Sequence, residues 1–118
     1  MLSTAERRQL DEAGWLALPG LMSPQLLKAV RARVEELFER EGSAAGSEFK
    51  MEPGARRLAN LVNKGRIFEQ IILTPRVAEC MAEVLGPRFK LSSLNVRSAD
   101  PHSGCGQPLH ADSGAVAD

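Results

Sequence analysis

The chain has 118 residues, of which 43% are hydrophobic and 25% charged, with 15 basic and 15 acidic side chains and a formal net charge of zero. This length and balance are typical of one globular domain and exclude an intrinsically disordered chain. No apolar run approaches the roughly 20 residues of a membrane-spanning helix, and no basic surplus favours nucleic acid as a partner.

The N-terminus and the cysteine content predict the compartment. Residues 1–8 lack the apolar segment of a secretory signal. The two cysteines, Cys80 and Cys105, are too few for a disulfide framework and fit a reducing environment. The sequence therefore predicts a cytoplasmic protein.

Two helices are predicted in the first 42 residues. Ser3 and Glu6 have the spacing of a capping box, which opens a short helix ending near Gly14. Ser23-Pro24 pairs a capping residue with proline at the first helical position, and an amphipathic helix follows from there to Gly42. Between them, Trp15-Leu16-Ala17-Leu18 before Pro19-Gly20 predicts a strand closed by a turn.

The middle of the chain carries weaker signals and then two more helices. Residues 42–47 predict a flexible loop, and residues 57–62 are left open between a strand and a helical turn. The apolar patch after Gly65 predicts a short helix. Thr74-Pro75 opens another helix, which ends at Gly86-Pro87.

The character of the sequence changes after Pro87. Alternation of apolar and polar residues across 89–98 predicts a half-buried strand, and residues 100–108 have the composition of a loop. Both histidines of the chain, His102 and His110, lie in this last part. We therefore look for chemistry there.

His110-Ala111-Asp112 is the motif with a chemical meaning. In an extended chain, residues two apart point to the same side with Cα atoms roughly 6.5–7 Å apart, so an imidazole and a carboxylate can converge on one metal ion. In a helix the same spacing would separate them. Two histidines and one carboxylate on one face of an octahedron are the ligands of non-haem Fe(II) oxygenases. A bare His-x-Asp is nevertheless common by chance.

Two other interpretations of this part of the chain stay open. The four side chains of His102, Cys105, His110 and Asp112 are all ligand types that zinc accepts, although their spacing matches no structural zinc pattern. Alternatively, His110 is a loop histidine hydrogen-bonded to a nearby carboxylate, and His102 is a solvated loop residue.

Three segments resemble the phytanoyl-CoA dioxygenase family. They are residues 108–114 (PLHADSG), residues 94–97 (LNVR) and residues 11–21 (DEAGWLALPGL). The resemblance covers most of the chain and is weakest at 42–55. It implies an α+β fold for residues 1–118, with a helical layer over about 1–87 packed on the first strands, about 88–118, of a double-stranded β-helix (jelly roll).

The resemblance also implies an activity. Members are Fe(II)- and 2-oxoglutarate-dependent oxygenases that hydroxylate small organic or acyl substrates, and His110 and Asp112 would be the first two iron ligands. Arg57 lies where some members place a basic residue near the cosubstrate, and Asn95 and Arg97 share a strand face that could line the polar interior of the barrel. The alternatives are an exposed Arg56-Arg57 pair and a sheet face open to solvent.

The chain also departs from the family pattern. The second metal histidine and the arginine that binds 2-oxoglutarate come well downstream of His-x-Asp in the family, whereas this sequence ends six residues after Asp112. We therefore expect a jelly roll truncated at its C-terminus, with unpaired edge strands. The competing prediction is a non-catalytic relative that acts as a binding or structural fragment and forms a homodimer through an open barrel edge.

Overall fold

The computed structural model describes residues 1–112, which form helices and a small antiparallel sheet. In chain order these are α1 (Thr4–Ala13), α2 (Pro24–Glu41), β1 (Arg57–Leu58), α3 (Arg66–Ile72), α4 (Pro75–Leu85) and β2 (Val96–Arg97), with 3-10 turns at Gly42–Ala44 and Leu61–Asn63. This mixture is compatible with the predicted α+β class, while two short strands do not establish a jelly roll. Each helix within 1–112 is too short or too polar to cross a membrane.

The predicted helix starts are confirmed, and local chemistry explains them. The Ser3 backbone N–H donates to Glu6 Oε2 (2.7 Å) and the Glu6 backbone N–H donates to Ser3 Oγ (3.2 Å), which completes the capping box of α1. Gly14 ends this helix in the left-handed conformation with φ 75°. Ser23 Oγ accepts from the Leu26 backbone N–H (3.1 Å) at the start of α2.

The two Ser/Thr-Pro helix starts, which look alike in sequence, differ in the structure. Ser23 caps α2, whereas Thr74 makes no capping bond to α4 and its hydroxyl donates to the Gln70 carbonyl (3.0 Å). We therefore expect Ser23→Ala to lower the free energy of unfolding by about 1 kcal/mol, because an orphan helical N–H loses its acceptor. Urea unfolding followed by circular dichroism measures this loss. Thr74→Ala is the control and should cost less; equal losses would contradict the assignment.

The core lies where α2, α3 and the β1 segment meet. Leu37, Leu58, Leu61 and Phe68 are almost fully buried there. Partly buried side chains surround them, namely Val34, Phe38, Ala45, Ile67, Ile71, Leu94 and Val96. Leu58 and Val96 are partners in the sheet, so one face of the β1–β2 pair covers this core.

The antiparallel pairing of β1 and β2 extends beyond the two strands. Arg57 is opposite Arg97 and Leu58 is opposite Val96. The same register continues in two backbone hydrogen bonds, from Ser98 to Arg56 (2.9 Å) and from Asp100 to Gly54 (3.0 Å). Since successive side chains alternate between faces, Arg57 and Arg97 lie on the face opposite the core.

Three local predictions differ from the structure. Residues 15–18 form no strand, because no strand within 1–112 lies beside them to pair with their backbone, and Trp15 is 61% exposed. Residues 42–47 are a 3-10 turn continued by hydrogen-bonded turns rather than a flexible loop. Of residues 89–98 only Val96–Arg97 are a strand; Asn60, with φ 55°, interrupts the opposite segment, which still donates from Leu61 to the Leu94 carbonyl (3.1 Å). The open region 57–62 contains both a strand and a helical turn.

Candidate functional site

Arg57 and Arg97, two of the predicted cosubstrate-binding residues, come together on Glu52. Arg57 Nη1 donates to Glu52 Oε1 (3.0 Å), and Arg97 Nε donates to the same oxygen. The side chains of Arg57 and Glu52 are only 13% and 14% exposed, and that of Arg97 is 30% exposed. Because the two arginines are directly opposite in the sheet, both guanidinium groups reach the same side of it. This arginine pair is therefore a partly buried cationic centre.

The segment before β1 covers the arginine pair. Gly46 is buried with φ 86°, and a Cβ at this position would lie 2.8 Å from Arg57 Cβ and 3.1 Å from the Arg57 carbonyl oxygen. Arg57 Cζ lies 5.5 Å from the centre of the Phe49 ring, within the range of a cation–π contact. Residues 46–52 consequently fold back over the polar face of the sheet, and Arg57 does not form an exposed surface pair with Arg56.

Glu52 is the residue of this centre that sequence reasoning missed. The hydrogen bond from Arg97 lowers the pKa of Glu52 below its ordinary value, against the raising effect of burial, and the bond from Arg57 adds to the lowering. Glu52 is therefore ionised at neutral pH. No local pattern marks it, since its contact with Arg97 spans 45 positions in sequence. Knowledge that residues 57 and 97 are opposite each other in the sheet would have indicated a shared acidic partner such as Glu52.

Asn95 directly precedes β2 and makes a contact of its own. It is half-buried, and its side-chain amide donates to Ser93 Oγ at 3.4 Å. Within residues 1–112 no hydrogen bond joins it to Arg57 or Arg97. Asn95 is thus not joined to the arginine pair within the described residues.

His110 and Asp112 converge on each other in an exposed part of the chain that has no regular secondary structure. His110 Nε2 lies 3.2 Å from Asp112 Oδ1, and His110 Nδ1 lies 2.8 Å from the Pro108 carbonyl oxygen. A proton on Nδ1 would be donated to the Pro108 carbonyl, whereas a proton on Nε2 would be donated to Asp112, which is the contact expected of a loop histidine hydrogen-bonded to a nearby carboxylate. Adjacent ligands about 2.1 Å from an octahedral metal lie about 3.0 Å apart, so the pair fits two positions of such a site.

A complete metal site does not form within residues 1–112. No three His, Cys, Asp or Glu side chains of these residues converge as metal ligands. The four-residue zinc arrangement of His102, Cys105, His110 and Asp112 is therefore not formed. His102 occurs in a turn with a left-handed backbone, φ 58°. Of the predicted metal ligands, His110 and Asp112 are the two that the described residues bring together.

The loop before His110 approaches the β1 segment closely. A Cβ on Gly54 would lie 2.7 Å from Cys105 Cβ and 2.8 Å from Ser103 Oγ, so the chain at 103–105 crosses directly over this glycine. Within residues 1–112, however, no hydrogen bond or ion pair connects His110 or Asp112 to Arg57 or Arg97. The structure brings the predicted site residues together as two separate pairs.

Comparison with known proteins identifies the family of the chain. A family model described as Phytanoyl-CoA dioxygenase (PhyH) matches residues 10–117, a range that includes the arginine pair, Asn95, His110 and Asp112. Neither the curated proteins nor the solved structures that were searched gave a match. The match over nearly the whole chain confirms the resemblance seen in the sequence, and the chain belongs to the phytanoyl-CoA dioxygenase family.

Proposed function

We propose that this chain carries iron- and cosubstrate-binding residues of an Fe(II)- and 2-oxoglutarate-dependent oxygenase acting on a small organic or acyl substrate. Membership of the family supports this class of chemistry. The observation that carries the proposal is the 3.2 Å approach of His110 Nε2 to Asp112 Oδ1. An imidazole nitrogen and a carboxylate oxygen at this separation are ligand types and a spacing that Fe(II) accepts.

Each pair has its own role in the proposal. His110 and Asp112 would hold the iron, which supplies the oxidising chemistry for hydroxylation of a C–H bond when cosubstrate and oxygen are bound. With its proton on Nδ1, the His110 ring would donate to the Pro108 carbonyl 2.8 Å away, which would orient the ring and leave Nε2 for the metal. Arg57 and Arg97 would donate to a carboxylate of 2-oxoglutarate, and Asn95 would add a further polar contact.

Metal binding tests the proposal directly. We expect His110→Ala to weaken anaerobic Fe(II) binding by more than about 100-fold, because even groups that only orient a metal ligand are worth about 10- to 100-fold. Isothermal titration measures the affinity, and release of succinate from 2-oxoglutarate measures the turnover. His102→Asn is the matched control, since it removes the other histidine while asparagine tolerates the left-handed backbone there.

The outcomes separate the two halves of the proposal. Fe(II) binding that depends on His110 and not on His102 supports the metal role, and succinate release with the same dependence supports the oxygenase. Equal losses in both histidine variants would instead point to a site that includes His102. Unchanged binding in His110→Ala would overturn the assignment of His110.

A second candidate is a non-catalytic relative that pairs with another copy of the chain. No three potential metal ligands converge within residues 1–112, and within the same residues no third strand covers either outer edge of the β1–β2 pair. An open edge can add a strand from a second molecule. In the titration above, this candidate predicts no Fe(II) binding and no succinate, with a dimeric mass in light scattering.

A further inference from the structure

We propose that the Glu52 carboxylate binds Arg57 and Arg97 at the position that a carboxylate of 2-oxoglutarate would take. Binding of the cosubstrate then displaces the Glu52 side chain. The inference rests on the proposed function and adds a regulatory contact to the same site. Under this proposal, the affinity for 2-oxoglutarate depends on how strongly its carboxylate competes with that of Glu52 for the two arginines.

The geometry of the pair shows a carboxylate site that is only partly used. A guanidinium has five N–H donors in a planar fork, which matches two carboxylate oxygens. Within residues 1–112, Arg57 and Arg97 each donate one N–H, and both donate it to the same oxygen, Oε1 of Glu52. Most donors of the two guanidinium groups therefore remain available to a ligand that presents two oxygens to them.

The charge around Glu52 favours a further anion. Lys50 Nζ lies 4.0 Å from Glu52 Oε2, so three cationic side chains face a single carboxylate. Arg57 is 13% exposed, and water therefore compensates its charge poorly. A dicarboxylate that replaces Glu52 at this place would bring more negative charge to a partly buried cationic centre.

The backbone at Glu52 lets its side chain leave. Glu52 lies between Met51 and Pro53 in a stretch with no regular secondary structure. The backbone hydrogen bonds of this region within residues 1–112 are made at Lys50 and Gly54, and none involves Glu52. A rotation of the Glu52 side chain into solvent therefore breaks its ion pairs without unfolding the segment that covers Arg57.

Titration of the metal-free chain with 2-oxoglutarate tests the competition. We expect Glu52→Gln to bind 2-oxoglutarate at least about tenfold more tightly than the unmodified chain, because a neutral amide competes less well than a carboxylate for two guanidinium groups. Glu12→Gln is the matched control. Glu12 accepts from Arg8 Nε (2.8 Å) on the exposed surface of α1, so its removal should leave the affinity unchanged.

Two further measurements keep the test decisive. Arg97→Gln should lose 2-oxoglutarate binding, and in the unmodified chain the Arg97 Nε–H resonance should shift when 2-oxoglutarate is added. If Glu52→Gln does not fold, Glu52→Asp keeps the charge, withdraws it from the arginines and should also bind more tightly. Unchanged or weaker binding in the Glu52 variants, or a static Arg97 resonance, would overturn the proposal.

Failure of this inference is distinguishable from failure of the proposed function. Binding to the metal-free chain does not use His110, whereas Fe(II) binding and succinate release do. Tighter binding in Glu52→Gln without any Fe(II) binding would support the Glu52 contact and contradict the oxygenase. His110-dependent turnover with no effect of Glu52→Gln on 2-oxoglutarate binding would support the oxygenase and contradict the role of Glu52.

Discussion

Replacing Phe68 with alanine should lower the free energy of unfolding by about 3–5 kcal/mol, enough to unfold a large fraction of a chain with so small a core. Phe68 is 1% exposed and is the largest of the fully buried side chains. It packs with Leu37, Leu58 and Leu61, which come from α2, β1 and the 3-10 turn. Its removal leaves a cavity that these separate elements cannot close without moving.

Urea unfolding measures this loss, and Leu73→Ala is its control. Leu73 follows α3 directly and is 71% exposed, so its truncation removes an apolar side chain at little cost, within about 0.5 kcal/mol. A small effect of Phe68→Ala, comparable to that of Leu73→Ala, would mean that the core is not centred on Phe68.

Replacing Gly46 with alanine should cost about 2–5 kcal/mol, for two independent reasons. The backbone has φ 86°, a conformation that costs an L-residue about 1–2 kcal/mol. The added Cβ would also lie 2.8 Å from Arg57 Cβ and 3.0 Å from the Lys50 carbonyl oxygen, and backbone atoms cannot yield cheaply. Because this close approach holds residues 46–52 over β1, we expect the contact of Glu52 with Arg97 to loosen as well.

Gly14→Ala separates the two contributions. Gly14 has a similar φ of 75°, but nothing lies within 4 Å of its added Cβ, so only the backbone cost of about 1–2 kcal/mol remains. Thermal and urea unfolding of both variants give the difference. Equal losses at the two glycines would show that residues 46–52 do not press on β1, and the arginine pair would then lack its cover.

The helices were largely predictable from sequence, because their signals are local. Ser3, Glu6 and Gly14 act within one or two turns of α1, and the same holds for Ser23-Pro24 in α2. The strand predicted at residues 15–18 was wrong for the complementary reason. An apolar run reports that a segment can pair, whereas a strand exists only where a neighbour supplies the other half of the hydrogen bonds.

The same distinction between local and long-range signals applies to the candidate site. His110 and Asp112 are two residues apart, so their spacing in an extended chain is a property of local sequence, and the structure has the two side chains 3.2 Å apart. The grouping of Arg57, Arg97 and Glu52 depends on the register of two segments about forty residues apart, on Gly46, and on the fold-back of residues 46–52. A shift of one residue in that register would turn Arg97 toward the core, which is why only the tertiary structure could reveal this centre.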